Sequence, residues 1–512
     1  MRNGAREMTM KKRLFALFFV LSMLSVVVPG APGSEAMTLR LEGGNIGVPN
    51  PFRHTRRGPG VARMQILYDS LLEKGEEGDI PWLAKSWDVN EDGTVYVFHL
   101  REDVFWHDGK PLTAEDVAFT FGYYRKHPPV YGGLTAGGDY IVTDARVLDP
   151  HTVVMTLPRY DNTFLPSVGL ARILPKHIWE SVEDPIAYDG EGLTVGSGPY
   201  RMESYDANQG AYRYVAFDRY WGPKPAAEAI EWVPTGDRVL AFEQGDIDLI
   251  NAPVDLLPRY RNDAAFAIKT VPSLHSYRLM MNMEAVQELR DADVRRAIAC
   301  AVDREGMVRA IARGSATVSS MGYVPAESPW FNPNIGRYPH DPARAKALLG
   351  GRKLAVALLT DNSPEGTKTA ELIKLSLASV GVDVVVRSVE SRTRDNAMST
   401  GDYELLLVNF GGMGGDPDFL RALYGEEAGL IKGWANEELA RLLRAQATER
   451  DRDARKAMIF RVQEIVADEV PVVMLFGAVD NFVYRSGKYD GWMCRYDHNK
   501  VDHNKLSYLV KE

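Results

Sequence analysis

Two runs of residues decide how this chain folds: Ala84-Lys85-Ser86-Trp87-Asp88-Val89-Asn90-Glu91-Asp92-Gly93-Thr94-Val95-Tyr96-Val97-Phe98-His99-Leu100-Arg101 and, three residues later, Phe105-Trp106-His107-Asp108-Gly109-Lys110-Pro111-Leu112-Thr113-Ala114-Glu115-Asp116-Val117. In the first, Asp92-Gly93 is a turn pair between strands. From Thr94 to Leu100 the side chains alternate. Val95, Val97 and His99 share one face and Tyr96 and Phe98 the other, which is the period of a strand. In the second run Asp108-Gly109 is another turn. Thr113 is a good N-cap, and Glu115 and Asp116 in the first turn suit the helix dipole.

Working outward, mixed α and β patterns cover the chain. Residues 39–47 read as a strand, with Leu39 and Leu41 alternating with polar positions. Gly58-Pro59-Gly60 precedes a helix with the apolar face Met64, Leu67, Tyr68, Leu71 and Leu72. Residues 141–148 and 151–157 read as a hairpin turned by Asp149-Pro150, and Tyr200 to Tyr205 with Tyr212 to Phe217 as a second strand pair. Beyond about residue 275 helices dominate. Val294, Ala297, Ile298, Ala301 and Val302 fall on one helical face. Asp303 caps the next helix, which Gly314 ends. An alternation follows: strand Leu354–Leu359, helix Pro364–Val380, stop at Gly381, strand Val382–Val386, helix 391–399, strand Tyr403–Val408. That order predicts βαβ units and a partly parallel sheet, so the fold class is α/β.

The 512 residues are 45% hydrophobic and 25% charged, enough for a large core and two to four lobes. The net charge is −9, with no basic stripe, which argues against nucleic acid as a partner. Two cysteines exclude a disulfide scaffold and a cysteine-rich zinc module. Cys300 lies in a small-residue helical stretch and reads as a buried thiol. Whether it meets Cys494 is open.

The first 36 residues read as a secretory signal. Lys11, Lys12 and Arg13 precede an apolar run from Leu14 to Val28, broken by Pro29-Gly30, and Ser34-Glu35-Ala36 places small residues at −3 and −1. The run is short for a membrane span. No Cys stands near the cleavage point for a lipid anchor. A periplasmic protein starting near Met37 is expected.

Enzyme motifs are missing from the places they would occupy. Gly109-Lys110 lacks the upstream glycine of a phosphate loop. Gly411-Gly412-Met413-Gly414-Gly415 lacks the dinucleotide pattern, because Pro417 stands where the third Gly should be. Val195 replaces the first Gly of a nucleophile elbow at Ser197. His498 and His503 are the only close histidine pair. Their spacing could serve a metal on a loop, but a solvated terminal segment explains them with fewer ligands to find.

The two opening runs resemble the signature of the family 5 solute-binding proteins of ABC importers, the peptide/nickel class of extracytoplasmic binding proteins. Further pieces occur in the expected order: Gly196-Ser197-Gly198-Pro199-Tyr200, Gly245-Asp246-Ile247-Asp248, Met281-Asn282-Met283, Asp293-Val294-Arg295-Arg296-Ala297, Asp341-Pro342-Ala343-Arg344 and Gly415-Asp416-Pro417-Asp418. Most read as architecture. Gly196 and Gly198 are expected to hold backbone angles closed to other residues, with Pro199 setting the entry to a strand.

The resemblance implies a type II periplasmic-binding-protein-like fold: two lobes with a hinge and an extra inserted domain. Mapped here, lobe I is 37–75, 190–275 and 476–512, the inserted domain 76–189, and lobe II 276–475. It further implies a monomer without cofactor or catalysis. Such a protein encloses a small solute and delivers it to a membrane permease. A short peptide or related amino-acid-derived compound ranks first. The alternatives are an oligosaccharide, a nickel or metal chelate, or an exported sensor or enzyme on the same scaffold.

In peptide binders of this family an Asp shortly before the Asp-Pro pair takes the peptide amine. Here the nearest equivalent is Met413, which cannot pair an ammonium. Asp416 is open to two roles, amine ligand or cap of a helix beginning at Pro417. Arg53-His54-Thr55-Arg56-Arg57 is a local cationic cluster. Arg56 and Arg57 are candidates for an anionic ligand group, or for a solvated loop. Trp330 and Trp434 lie in loops and can stack on a ligand or pack. Asn409 and Phe410 end a strand of the second lobe, where open α/β sheets place ligands.

Overall fold

The computed structural model describes residues 37–511 except 56–57, 76–77, 131–133, 137–138, 412–415, 426–428 and 494–504. The signal-like segment, Arg56, Arg57, Met413, Cys494, His498 and His503 lie outside the described residues. Strand β1 (Thr38–Glu42) and helix α1 (Gly58–Leu67) come first. Four antiparallel strands follow, β2 (Ala84–Val89), β3 (Val95–Leu100), β4 (Asp144–Asp149) and β5 (Thr152–Thr156), in the order β2-β3-β5-β4, with α2 (Ala114–Lys126) packed on them. The Thr113 backbone N–H donates to Asp116 Oδ2 at 2.9 Å, so the acid in the first turn closes the cap expected at Thr113. Then β6 (Tyr200–Asp206), β7 (Ala211–Ala216) and β8 (Ala229–Val233) return to β1, in the order β1-β8-β7-β6, with β1 parallel to β8.

The third sheet contains β9 (Leu249–Asn251), β10 (Phe266–Met281), β11 (Thr317–Val318), β12 (Leu354–Asp361), β13 (Val382–Val389), β14 (Leu405–Phe410) and β15 (Val472–Arg485). Its order is β9-β15-β10-β14-β12-β13, with β11 on β15. The β12–β13 and β12–β14 pairs are parallel, as the alternation predicts. The helices around it include α3 (Ala292–Ala301), α4 (Arg304–Ile311), α5 (Pro364–Ala378), α6 (Ser391–Thr400), α7 (Glu437–Thr448) and α8 (Arg452–Glu469). Asp303 caps α4 by accepting from the Gly306 N–H, and Ser363 caps α5 with Pro364 at its first position.

Sequence periodicity missed the two longest strands. β10 and β15 pair twice. Phe266–Pro272 runs against Val479–Arg485, the register then shifts, and Ser276–Met280 runs against Val472–Gly477. One antiparallel ribbon thus joins the side of the molecule that carries β9 to the side that carries β12–β14. Its interruption lies where a bend between lobes needs it. Cys300 is fully buried in α3 with a free thiol.

The family-like motifs lock to one another. The His107 N–H donates to Gly196 O at 2.8 Å, and the Gly196 N–H donates to His107 Nδ1 at 3.1 Å. That leaves the ring proton on Nε2, which donates to Gly198 O at 3.0 Å. The expectation for Gly196 and Gly198 is corrected: neither has positive φ. The requirement is closeness. A Cβ on Gly196 would meet Leu67 O at 1.9 Å, and one on Gly198 would meet Ile66 O at 2.3 Å. Glycine lets this segment lie against the last turn of α1.

Beside that contact sits a buried charge network. Lys505 Nζ donates to Asp69 Oδ1 at 2.5 Å, pairs with Glu73 Oε2 at 3.0 Å and donates to Tyr68 O at 3.0 Å. Arg172 pairs with Glu73 at 3.0 Å, and Asp69 also accepts from Trp82 Nε1 and Ser197 Oγ. Burial alone would raise the Glu73 carboxyl, but Arg172 and Lys505 hold it down to about 2.

Lys505→Met should therefore leave two buried carboxylates short of their cation and cost about 3–5 kcal/mol in urea unfolding. A second expectation concerns pH. Burial pushes the His107 ring down to about 4, against about 6.5 in an unfolded chain. Between those values the unfolded state binds the extra proton, so stability must fall as pH drops from about 6.5 towards 4. A melting-temperature series for wild type and His107→Gln should show a shallower acid loss in the variant.

Candidate functional site

Between the β1–β8 side and the carboxyl ends of the parallel strands lies a cleft of about 900 Å³. Its first wall is built from the segment after β1 (Gly43 to Ile46), α1 with Arg63, Trp232 of β8 and Asn251 of β9. Its second wall is Glu390, Arg392 and Asp395, at the start of α6. The second wall follows β13 directly, where open α/β sheets place ligands. The first wall joins the β1–β8 sheet to β9 at one end of the third sheet, and the second wall lies beyond β13 at its other end, so a solute in the cleft touches both sides of the ribbon.

Charges on the walls are mostly committed. Arg394 of α6 ion-pairs with Asp361, which ends β12, and with Asp395. Arg238 stands 4.0 Å from Glu42. Near the carboxyl end of β14, in the middle of the sheet, Asn409 lies opposite Tyr277 of β10. Burial raises the Tyr277 hydroxyl, with Glu365 and Asp361 adding to the effect, so it stays a neutral donor. Asn409 Oδ1 is buried and makes no hydrogen bond. A buried, unsatisfied acceptor at a strand's carboxyl end is suited to a ligand donor.

The sequence-derived candidates separate accordingly. Asn409 stays a candidate: its Oδ1 has no hydrogen-bond partner, its side chain meets the Tyr277 hydroxyl, and it is not among the residues that line the cleft. Phe410 pairs through its backbone with Ser276. Arg56, Arg57 and Met413 lie outside the described residues, although Thr55 and Pro59 on either side of the arginines line the cleft. Asp416 is corrected: both its oxygens clamp Arg455, at 2.9 and 2.7 Å, and the helix begins at Phe419 rather than Pro417. Asp416 Oδ1 also accepts from the Asp418 N–H at 2.8 Å. The charge of an aspartate so occupied is already answered by a guanidinium. Trp330 is corrected too, since it is buried in the second lobe's core with the Arg455 guanidinium 5.1 Å from its ring. Trp434 packs near Tyr424, and its Nε1 donates to Glu469 Oε2 at 2.6 Å. Both tryptophans brace α8, and neither is among the residues that line the cleft.

Arg63, Trp232 and Asn251 were not foreseen. Their one trace in the sequence is Arg63 itself, a single cation inside the apolar run of α1. Among the described residues no cluster of three or more His, Cys, Asp or Glu could hold a metal ion. No helix among them is long and apolar enough to cross a membrane.

The profile described as "Bacterial extracellular solute-binding proteins, family 5 Middle" matches residues 80–429. The chain belongs to this family. It is 26% identical to the dipeptide-binding protein of Escherichia coli K12 over 494 residues, covering 89% of this chain and 91% of that one. It is 27% identical to the nickel-binding periplasmic protein of the same organism over 390 residues, 74% and 72% of the two chains. Among solved structures, the ABC transporter substrate-binding protein CtaP of Listeria monocytogenes superposes with a TM-score of 0.80 at 24% identity, over 92% of this chain and 98% of that one. This solute-binding protein therefore has the type II two-lobed fold.

The second lobe also meets the inserted sheet's neighbourhood away from the cleft. Asn162 Nδ2 reaches the carbonyls of Gln446, Ala447 and Glu449 at the end of α7, at 3.1, 3.2 and 2.7 Å. Arg450 lies 4.8 Å over the Tyr160 ring and donates to Glu91 O. These bonds span the two sides and help hold them together. Asn162→Ala should shift the solute-free protein towards open forms about tenfold, read as a larger radius of gyration in small-angle scattering.

Proposed function

We propose that this protein captures a short peptide or related amino-acid-derived compound in the cleft and delivers it to an ABC permease. The observation that carries this reading is the cleft itself: about 900 Å³, walled by both lobes, on a chain similar over nearly its whole length to a dipeptide-binding protein. A cavity of that size encloses a small solute. Contact with both walls gives closure its driving force, because the solute binds the closed form better than the open one.

The proposed division is lobe I at 37–75, 190–275 and 476–512, the inserted domain at 76–189 and lobe II at 276–475. The break in ribbon pairing between Pro272 and Ser276 supports the boundary near 275. The protein acts as a monomer without catalysis, exported by the signal in residues 1–36 to the periplasm. With Met413 in place of the family's amine-binding Asp, and Asp416 engaged by Arg455, the amine of such a solute finds its acceptors elsewhere, Asn409 Oδ1 among them.

Native mass spectrometry of protein purified without refolding tests the reading. The expected result is a bound mass that fragments as a short peptide or amino-acid derivative and leaves the protein unchanged. A bound metal chelate or sugar would replace the peptide reading. A cargo converted during incubation would replace the transport one.

A further inference from the structure

Among the described residues that line the cleft, Arg63 is a buried cation with no acid paired to it. The residue is 4% exposed. Its guanidinium donates to Gly44 O at 2.9 Å and to Glu42 O at 3.3 Å. Behind it stand the Tyr212 and Trp232 rings, with centroids at 4.7 and 5.1 Å. No carboxylate pairs with it among the described residues, and its electrostatic neighbours are the tyrosines 212, 214 and 508.

Burial without an acid is not by itself a site, and two arginines of the second lobe show why. Arg295 donates to the carbonyls of Glu469, Leu289 and Arg290. Arg304 donates to those of Ser319, Met474 and Tyr338. Arg295 thus ties two segments of chain to its own helix, and Arg304 ties three. Arg63 differs in two respects. It holds two carbonyls, Glu42 O at the end of β1 and Gly44 O just after it, together with the Tyr212 hydroxyl, and it lines the cavity. A guanidinium has five N–H donors, and the aromatic faces leave its planar edge as the direction from which an anion can approach.

We infer that Arg63 is the anion-binding residue of the cleft and that the solute carries a carboxylate or like anionic group placed there. This rests on the reading that the cleft holds the solute, and it deepens that reading by fixing the charge of one end. A carboxylate fits the fork of a guanidinium in a paired, charge-assisted contact. The aromatic pair holds the fork planar before the solute arrives, so little side-chain freedom is lost on binding. Entry of the anion supplies the counter-charge that the folded chain withholds.

The test uses an equimolar dipeptide library in free-acid form in competition with the same library C-terminally amidated. Retention is read by native mass spectrometry on wild type, Arg63→Gln and Arg63→Lys. Wild type should retain acids over amides by about tenfold or more. Arg63→Lys should keep part of that preference, and Arg63→Gln should lose it. A residue serving only to brace the segment after β1 would weaken acids and amides alike. Equal retention of acids and amides by wild type, or an undiminished preference in Arg63→Gln, overturns the inference and leaves the peptide reading standing. Retention of neither library overturns the peptide reading. Acetate then decides the inference: exchanged for chloride at constant ionic strength, it must raise the melting temperature of wild type and not of Arg63→Gln, and no shift in wild type overturns it.

Discussion

The buried contact of Lys505 with Asp69 and Glu73 is the constraint on which the first side of the cleft depends. All three side chains are closed to water, so each charge is tolerable only with the others in place. The participants come from distant parts of the chain: the link after α1, Arg172 beyond the inserted sheet, and the short helix at Lys505–Tyr508. Trp82, Ser197 and Trp221 add donors to Asp69. A network this connected fixes the end of α1, and α1 carries Arg63 to the cleft wall. Rigidity in one wall is useful to a protein that works by moving the other.

The opposite wall is held differently. Parallel strands β12 and β13 end at Asp361 and Val389, and Arg394 ties Asp361 to the start of α6. The ribbon of β10 and β15 connects the walls, and its pairing breaks between Pro272 and Ser276, with a second register shift between Tyr277 and Arg278. A hydrogen-bonded ribbon so interrupted can bend there without losing the paired stretches on either side. Solute contacts and the Asn162 bonds to α7 then determine which bend is favoured.

Much of this was legible along the chain. Short-range rules found the turns at Gly93 and Gly109, both with positive φ, the caps at Thr113 and Asp303, and the βαβ alternation of the second lobe. Those features depend on residues within one or two turns of one another. The long ribbon escaped because its strands lack a clean alternation, being paired on both sides and bent in the middle. The acid cluster of the Gly415–Asp418 motif was legible as a motif but not as a role. Arg455, which occupies Asp416, lies far along the chain. Trp330 and Trp434 failed as ligand platforms for the same reason, since their partners are on α8 and in the helix-capping loops around it.

The sequence by itself determined the family, the α/β class and the order of elements, because periodicity, turn residues and motif spacing are properties of neighbouring positions. Tertiary structure alone decided that His107 seats the Gly196–Gly198 segment against α1. It alone decided that Asp416 belongs to Arg455, and that a single buried guanidinium stands in the cleft without an acid beside it. Whether a charge is answered depends on which distant side chains fold around it, and spacing along the chain carries no record of that.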